Sequence, residues 1–247
     1  MKYQTLQIFR PCISKNQTQD WGENRACINS KTGAVYGVTN VCRSGDQSVY
    51  QSFGMRGHNG IDIGGLKGAD IYHAATFKGW MKTESDRQGG LGVDVVSNEQ
   101  LFFAGKIPVE LRSSAVAATQ DNVVGFLHHV KMRYWHLTAP VGSDGKSVTC
   151  GTVVGLMGNT GVSSGTHLHF APKWCTENGQ SAGSDNGYFG AFDPRPYYTD
   201  HVTAKEHSDM ITKEAIPLSV TEVKDIQARL NTLQMLLLAL QKLQHSL

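Results

Sequence analysis

Glycines between short apolar runs are the feature of this sequence that most limits its fold. The chain of 247 residues contains 27 glycines, above the ~7% of an average protein, and they form no repeat. Glycine adopts the backbone conformations of tight turns, and short β-branched and aromatic runs between such turns are typical of strands. The pattern therefore predicts an all-β fold. A chain of this length can bury one good core and an appendage, so we expect one globular domain.

Several segments have the composition of strands. The stretch from Val49 to Gly65 is expected to form a strand, a turn and a second strand, because aromatic and β-branched residues alternate there with glycines. Residues Ile107 to Ala118 are expected to form a short helix or a long surface loop. Further predicted strands are Ile71 to Ala75, Leu91 to Ser97, Val123 to His136, Thr152 to Met157 and His167 to Pro172, with edge strands at Tyr3 to Phe9 and Ala34 to Val38.

The composition changes after about residue 200. We predict a main domain over residues 1–200, with an N-terminal extension 1–48 and a core 49–200, followed by a polar linker over 201–220. Residues 221–247 are predicted to form an amphipathic helix with heptad spacing, which indicates oligomerisation or docking, the alternative being packing on the chain's own domain. The heptad positions are Val223, Ile226, Leu230, Leu233, Leu237, Leu240 and Leu247, interrupted by Gln244.

Charge and cysteine content narrow the class of protein. The formal net charge of +2 comes from well-mixed acidic and basic residues, which argues against a nucleic-acid partner. We recognise no secretory signal at the N-terminus and no apolar run of the length of a transmembrane helix. Cysteine spacing gives no CxxC zinc motif. Disulfides such as Cys27 with Cys42 or Cys150 with Cys175 are possible, but the sequence does not determine the pairing.

Two short motifs carry the candidate chemistry. The first is His58-Asn59-Gly60-Ile61-Asp62 and the second is His167-Leu168-His169. Residues two apart in a strand face the same side, so His167 and His169 can both face one cavity while Leu168 packs behind them. A histidine and an aspartate four apart on a glycine-containing turn can converge on one ion. Three protein ligands of this kind leave a fourth position for water, which is typical of catalytic zinc.

These residues resemble the lysostaphin-type zinc metallopeptidases, whose motifs follow the order HxxxD, Tyr-x-His-Leu and a glycine-rich turn into HxH. The corresponding segments here are FGMRGHNGIDIGG, RYWHL and GTVVGLMGNTGVSSGTHLHF. The resemblance covers about residues 51–170, with Phe192-Asp193-Pro194 also similar. It implies an antiparallel sheet curled into an incomplete barrel or groove, the duplicated hybrid motif, to which we add the predicted C-terminal helix.

The resemblance also implies roles for individual residues. His58, Asp62 and His169 would bind zinc, and His136 and His167 would be the catalytic residues beside the metal-bound water. Which of the two histidines acts as the base stays open. Asn59 and Tyr134 are candidates for outer residues that contact the ligating side chains and not the metal itself. The histidines that match no motif position, and that we expect to be surface or core residues, are His73, His128, His129, His201, His207 and His245.

The implied function is hydrolysis of the peptide stems or cross-bridges of bacterial peptidoglycan. We expect a site of action at the cell wall, either periplasmic, extracellular or virion-associated. A phage lytic enzyme fits the missing signal sequence, and a cellular wall-remodelling enzyme with a lost N-terminus is the competitor. Two other functions stay open: a non-catalytic scaffold or regulator of the same fold that binds a cell-wall partner, and a zinc hydrolase of another amide.

Overall fold

A computed structural model describes residues 2–38 and 41–214 of the chain. The chain divides into two compact units, Met1–Ser208 and Asp209–Leu247, and apart from residues 209–214 the features below belong to the first. Among the described residues no helix is long and apolar enough to cross a membrane. The predicted heptad helix over residues 221–247 lies outside the described residues.

Short strands dominate the described part of the chain. Two helices, α1 (Val49–Ser52) and α2 (Ala204–Glu214), and two 3₁₀ turns at Val109–Leu111 and Ser184–Asn186 complete it. The strands are β1 (Ile8–Arg10), β2 (Asn16–Gln19), β3 (Ala26–Ile28), β4 (Val35–Gly37), β5 (Gln47–Ser48), β6 (Ile61–Gly64), β7 (Asp70–Tyr72), β8 (Gly79–Asp86), β9 (Gly90–Ser97), β10 (Leu101–Ala104), β11 (Val116–Gln120), β12 (Val123–Leu137), β13 (Ala139–Pro140), β14 (Ser147–Val148), β15 (Val153–Leu156), β16 (His167–Cys175) and β17 (Tyr198–Thr203).

The main sheet is antiparallel and runs in the order β14, β8, β9, β12, β16, β6 and β2, with β10 and β11 also pairing with β12. One three-stranded sheet has the order β13, β15 and β7, and another has the order β4, β3 and β5. The strand β1 pairs in parallel with β17. The all-β fold class predicted from the glycine pattern and the antiparallel sheet implied by the resemblance are both confirmed. Among the described strands no sheet closes into a barrel.

The core lies on one face of the main sheet. Met132 and Tyr134 of β12 and Leu168 and Phe170 of β16 are fully buried in it. Because successive side chains of a strand face opposite sides, the residues between them face the other side of the sheet. That second face forms the floor of a groove.

The N-terminal extension is held by a disulfide between Cys27 and Cys42, one of the two pairs that the sequence left open. The other suggested partners, Cys150 and Cys175, are free thiols. The disulfide joins β3 to the segment after β4, and β3 also pairs with β5.

Three local predictions need correction. Residues 49–52 form α1 rather than a strand, because Ser48 caps this turn by accepting a hydrogen bond from the Gln51 backbone N–H. The segment from Ile107 to Ala118 contains a 3₁₀ turn and the start of β11, which pairs with β12. Residues 201–208 belong to the globular unit instead of a linker, since β17 pairs with β1 and Ala204 is buried. The rest of the predicted linker, residues 215–220, lies outside the described residues.

Candidate metal centre

The pairing of β6 with β16 brings two of the predicted ligands together. Asp62 lies directly opposite His169 in this antiparallel register, and such pairs have adjacent side chains on one face of the sheet. Ile61 and Ile63 flank Asp62 and are buried in the core, so Asp62 faces the groove. His169 Nδ1 lies 3.0 Å from Asp62 Oδ1.

His58 reaches the same point from the turn that precedes β6. Its Nδ1 donates a hydrogen bond of 3.0 Å to the backbone carbonyl of Asp20, which leaves Nε2 facing the pair. Nε2 lies 2.8 Å from His169 Nδ1 and 3.0 Å from Asp62 Oδ1. The imidazole is 1% exposed, so its orientation is determined by packing as well as by the carbonyl.

The donor set of His58, Asp62 and His169 fits zinc. Tetrahedral bonds of ~2.0–2.1 Å place ligand atoms ~3.3 Å apart, a few tenths of an ångström more than the 2.8–3.0 Å found here. Two nitrogens and one carboxylate oxygen are ligands that zinc prefers, and the Asp20 carbonyl orients one imidazole as outer partners of zinc ligands commonly do. Within the described residues these three form a group whose ligand atoms can converge on one ion.

The protonation states of the three side chains follow from burial and from their mutual contacts. Burial opposes ionisation of Asp62, but His58 and His169 outweigh it and hold the pKa of this carboxyl well below its usual range. Burial lowers the pKa of His169 to about 4, so its imidazole is neutral at pH 7. Burial also acts to lower the pKa of His58, but the Asp62 carboxylate outweighs it and the pKa is raised. A proton on His58 therefore competes with a metal ion.

Gly60 makes room for the ligand on β16. A Cβ at this position would lie 2.6 Å from Cε1 of His169 and 2.6 Å from the backbone oxygen of Phe170. Any larger residue would displace either the imidazole or a central strand. A glycine is therefore needed between His58 and Asp62 so that the His169 imidazole can occupy its place in the cluster.

His136 faces the groove because of an irregularity in β12. Strand alternation alone would place it on the core face with Tyr134, but its φ is +63° and the register with β9 shifts between Tyr134 and Leu137. Such a bulge turns a side chain to the other face. The ring of His136 lies 6.2 Å from that of His169, measured between centroids.

His136 and His167 are oriented alike. Nδ1 of His136 donates to the Thr160 carbonyl at 2.7 Å, and Nδ1 of His167 donates to the Gly165 carbonyl at 2.8 Å. Each ring therefore presents Nε2 without a proton to the groove when neutral. Their ring centroids are 4.6 Å apart, and His167 Nε2 lies 3.6 Å from Asp62 Oδ2. Burial, and then the neighbouring His167, lower the pKa of His136.

The five predicted site residues line one cavity of about 730 Å³. Asn59, which was suggested as an outer contact of the site, also lines it. Tyr134 does not: it lies in the core on the opposite face, where its hydroxyl accepts a hydrogen bond from the Ala74 backbone N–H and contacts His73. Tyr134 lies two residues before His136, so regular alternation would place both side chains on one face of the sheet. The bulge between them reverses the alternation and separates the two side chains.

The other histidines that the structure describes lie away from the metal cluster, as expected. His73 is buried between Tyr134 and the Phe77 carbonyl, and burial lowers its pKa to about 4. His128 and His129 line a separate small pocket, and His201 is exposed on β17. His207 stacks on Phe9 with 3.9 Å between ring centroids. His245 lies outside the described residues.

Other groove residues were not predicted from the sequence. Tyr50 of α1 packs 5.4 Å from the His58 ring, measured between centroids, and donates its hydroxyl proton to Gln19. Arg133, Trp135 and Lys173 line the same cavity. Lys173 has the strand parity of His167 and His169, so alternation along β16 could have indicated it. Arg133 and Trp135 have the parity opposite to that of His136 on β12, so alternation counted from that histidine would have missed them.

The described residues thus define a class of protein: an antiparallel β fold with a groove whose floor carries a His–Asp–His cluster of the kind that holds zinc. No family model matches the sequence, and no curated protein matches it.

Solved structures do match. The catalytic domain of lysostaphin from Staphylococcus simulans is 19% identical, over 57% of this chain and 78% of that chain, with a TM-score of 0.38. A zinc-containing peptidase from Vibrio cholerae is 19% identical over 74% of this chain and 39% of its own, with a TM-score of 0.40. A pore-forming complex of SpoIIQ and SpoIIIAH is 16% identical over 87% and 92%, with a TM-score of 0.36. Lysostaphin, which typifies the family that the motifs resemble, is thus among the matches, and at these scores the likeness says nothing about activity.

Proposed function

We propose that the protein is a zinc metalloendopeptidase that hydrolyses the peptide stems or cross-bridges of bacterial peptidoglycan. The observation that carries the proposal is the convergence of His58 Nε2, Asp62 Oδ1 and His169 Nδ1 within 2.8–3.0 Å on the floor of a groove. Peptidoglycan as the substrate, and the cell wall as the site of action, rest on the resemblance of the sequence motifs to lysostaphin-type peptidases.

His58, Asp62 and His169 would hold the zinc ion. When bound, zinc supplies a Lewis acid that lowers the pKa of a water molecule to about 7 and polarises the scissile carbonyl. The ionised Asp62 offsets part of the positive charge of the metal. The buried and neutral His169 offers a nitrogen lone pair without having to lose a proton first.

His136 and His167 would handle the proton and the developing negative charge. Because both Nδ1 atoms donate to backbone carbonyls, both Nε2 atoms are acceptors in the neutral rings. The lowered pKa of His136 keeps that ring neutral and able to take a proton. A ring that has taken the proton can then donate it to the leaving amine or to the tetrahedral oxyanion.

The groove accommodates a peptide. Its cavity of about 730 Å³ passes over the cluster, and the walls carry apolar side chains together with the hydroxyls of the glycine-rich turn. A cleft with apolar walls and convergent polar groups is typical of a ligand-binding site. The apolar wall residues are Val49, Phe53, Met55, Val162 and Phe189.

Hydrolysis of purified bacterial cell walls tests the proposal. We expect solubilisation of the walls by the wild type to stop with a chelator and to return with zinc. Asp62→Ala should lose both bound zinc and activity. His136→Ala and His167→Ala should keep zinc but lose at least ~100-fold in rate, since general acid–base residues contribute about that much. His201→Ala, an exposed histidine far from the cluster in sequence, is the matched control and should behave as wild type.

Two outcomes would contradict the proposal. Wall hydrolysis by Asp62→Ala at the wild-type rate would refute the ligand assignment. Bound zinc without any wall cleavage by the wild type would refute the substrate and favour the scaffold or another amide substrate. Mass spectrometry of the released fragments identifies the bond that is cleaved.

Homo-oligomerisation through residues 221–247 is a separate proposal. The heptad spacing of the sequence supports it, and this segment lies outside the described residues. Light scattering should give a larger mass per particle for the full chain than for a chain ending at Glu214. Equal oligomeric states of the two chains would contradict it.

A further inference from the structure

A buried lysine lies in the groove away from the metal cluster. Lys173 is 3% exposed and lines the same cavity as His169. It follows His169 by four residues on β16, so both side chains face the groove while Phe170 and Trp174 face the core. Within residues 2–38 and 41–214, Lys173 Nζ has no hydrogen bond and no ion pair. Lysine is almost never buried in this way without a partner.

The carboxylate of Asp94, whose charge acts on this lysine, is already occupied. Asp94 of β9 accepts two hydrogen bonds of 2.8 Å from Arg133. Its Oδ2 also lies 2.9 Å from Lys131 Nζ, which in addition donates to the Gly179 carbonyl. Two cations therefore share this carboxylate, and Lys173 forms no ion pair with it.

Two acidic side chains of β8, the strand that pairs with β9, are occupied as well. Glu84 forms an ion pair with Lys82 at 2.8 Å. Asp86 Oδ1 accepts hydrogen bonds of 2.7 Å from the backbone N–H groups of Gln88 and Gly89. Among the described residues neither carboxylate forms an ion pair with Lys173.

One further charged donor near Lys173 has an N–H without an acceptor among the described residues. Arg133 pairs with Ala171 of β16, two residues from Lys173 on the same face, and its charge acts on that lysine. Its Nε and Nη2 donate to Asp94, while Nη1 forms no hydrogen bond in the described part of the chain. Charged donors that face one cavity without an acceptor indicate a ligand that accepts. Trp135 pairs with His169, so its indole lies nearer to the metal cluster than to Lys173.

We propose that Lys173 and Arg133 form a subsite for a carboxylate of a bound peptide. Arginine and lysine together bind a carboxylate through charge-assisted hydrogen bonds. The inference deepens the proposed function, because it needs a peptide in the groove. Four residues of strand separate His169 from Lys173, which is ~13 Å. The carboxylate would therefore lie about three to four residues from the scissile bond.

The protonation of Lys173 agrees with such a ligand. Burial, and then the Arg133 guanidinium, lower the pKa of this amine to about 7. Asp94 and Glu84 act in the opposite direction and Lys131 in the same direction. A carboxylate that enters the subsite stabilises the ammonium form and recovers part of the cost of burying the amine.

Binding of two matched peptides to the full chain tests the subsite. The probes are N-acetyl-tetraglycine and its C-terminal amide, which differ only in the terminal carboxylate. Calorimetry is done with a chelator, which stops metal-dependent turnover and leaves the two subsite residues unchanged. We expect the wild type to bind the acid at least tenfold more tightly than the amide, and we expect Lys173→Met to bind both alike.

Two variants complete the design. Lys82→Met removes the same charge from β8 of the same sheet, at a lysine that is partly exposed, and should keep the preference for the acid. Lys173→Gln is a polar neutral replacement in case the methionine variant does not fold, and it should lose the preference too. Circular dichroism and thermal unfolding check that each variant is folded.

The results separate the subsite from the proposed reaction. Equal binding of acid and amide by the wild type, or a preference retained in a folded Lys173 variant, overturns the subsite. A preference that depends on Lys173 supports the subsite even if the wild type fails to hydrolyse cell walls. Zinc-dependent wall hydrolysis without any preference leaves the reaction standing and removes the subsite.

Discussion

Replacing Gly60 by alanine is expected to weaken zinc binding without changing a ligand. The new Cβ would lie 2.6 Å from Cε1 of His169 and 2.6 Å from the Phe170 backbone oxygen, whereas ordinary contact begins at 3.4 Å. The imidazole or the turn carrying Gly60 must therefore move by about 0.8 Å. Ligand distances in metal sites vary by only about 0.2 Å, so the three ligand atoms can no longer converge as they do now.

The magnitude follows from this misfit. We expect the dissociation constant for zinc to rise at least tenfold, which is about 1.4 kcal/mol. Crowding against the backbone of a central strand should also lower the free energy of unfolding by about 1–3 kcal/mol. Competition with a chromogenic chelator measures the affinity, and urea unfolding of the metal-free chain measures the stability.

Gly37→Ala is the matched control for this experiment. Gly37 is exposed on β4, its φ is not in the left-handed region, and an added Cβ would meet its nearest neighbour at an ordinary 3.9 Å. Zinc affinity and stability should stay near those of the wild type. The reasoning is refuted if Gly60→Ala binds zinc as tightly as Gly37→Ala does.

Three further predictions concern stability. Burial would raise the pKa of Asp94, but Arg133 outweighs it and lowers the value from 3.8 to about 2. The resulting stabilisation of about 2 kcal/mol is present above pH 4 and is lost as the pH falls towards 2. In urea unfolding, the free energy of unfolding of Asp94→Asn should therefore decrease less between pH 4 and pH 2 than that of the wild type. An equal decrease in both proteins would contradict this. Tyr134→Phe should cost about 1–3 kcal/mol in the same assay, because it leaves the Ala74 N–H without an acceptor, whereas a cost near zero would contradict that hydrogen bond. Replacing Cys27 and Cys42 by serine should cost about 3 kcal/mol, given a sequence separation of 15, and unchanged unfolding would show that the disulfide does not form.

The local pattern of the sequence was enough to predict the class of fold. Alternation of two in β12 and β16 is a property of neighbouring residues, so it could be predicted that Leu168 packs inside while His167 and His169 share the groove face. Alternation along β16 also places Lys173 on the face of the two histidines, although it was not predicted to belong to the groove. Arg133 could not be found in this way, because the bulge before His136 reverses the alternation in β12.

Pairing between distant segments could not be predicted in this way. The strand Asn16–Gln19 carries polar and mostly exposed side chains, and only its register with β6 makes it an edge of the main sheet. The pairing of β17 with β1 likewise joins the two ends of the globular unit, where the composition suggested a linker. Such hydrogen bonds run between backbones, so side-chain patterns carry little trace of them.

The sequence by itself determined which side chains are available as ligands, because histidine and aspartate spacing is a local property. Tertiary structure decided where they converge. The Asp62 and His169 pair depends on the register of β6 with β16, and His136 depends on a bulge with a positive φ that reverses its facing. A bulge forms where the contacts of two neighbouring strands demand it, so its position is a property of the folded sheet and cannot be read from the five letters RYWHL.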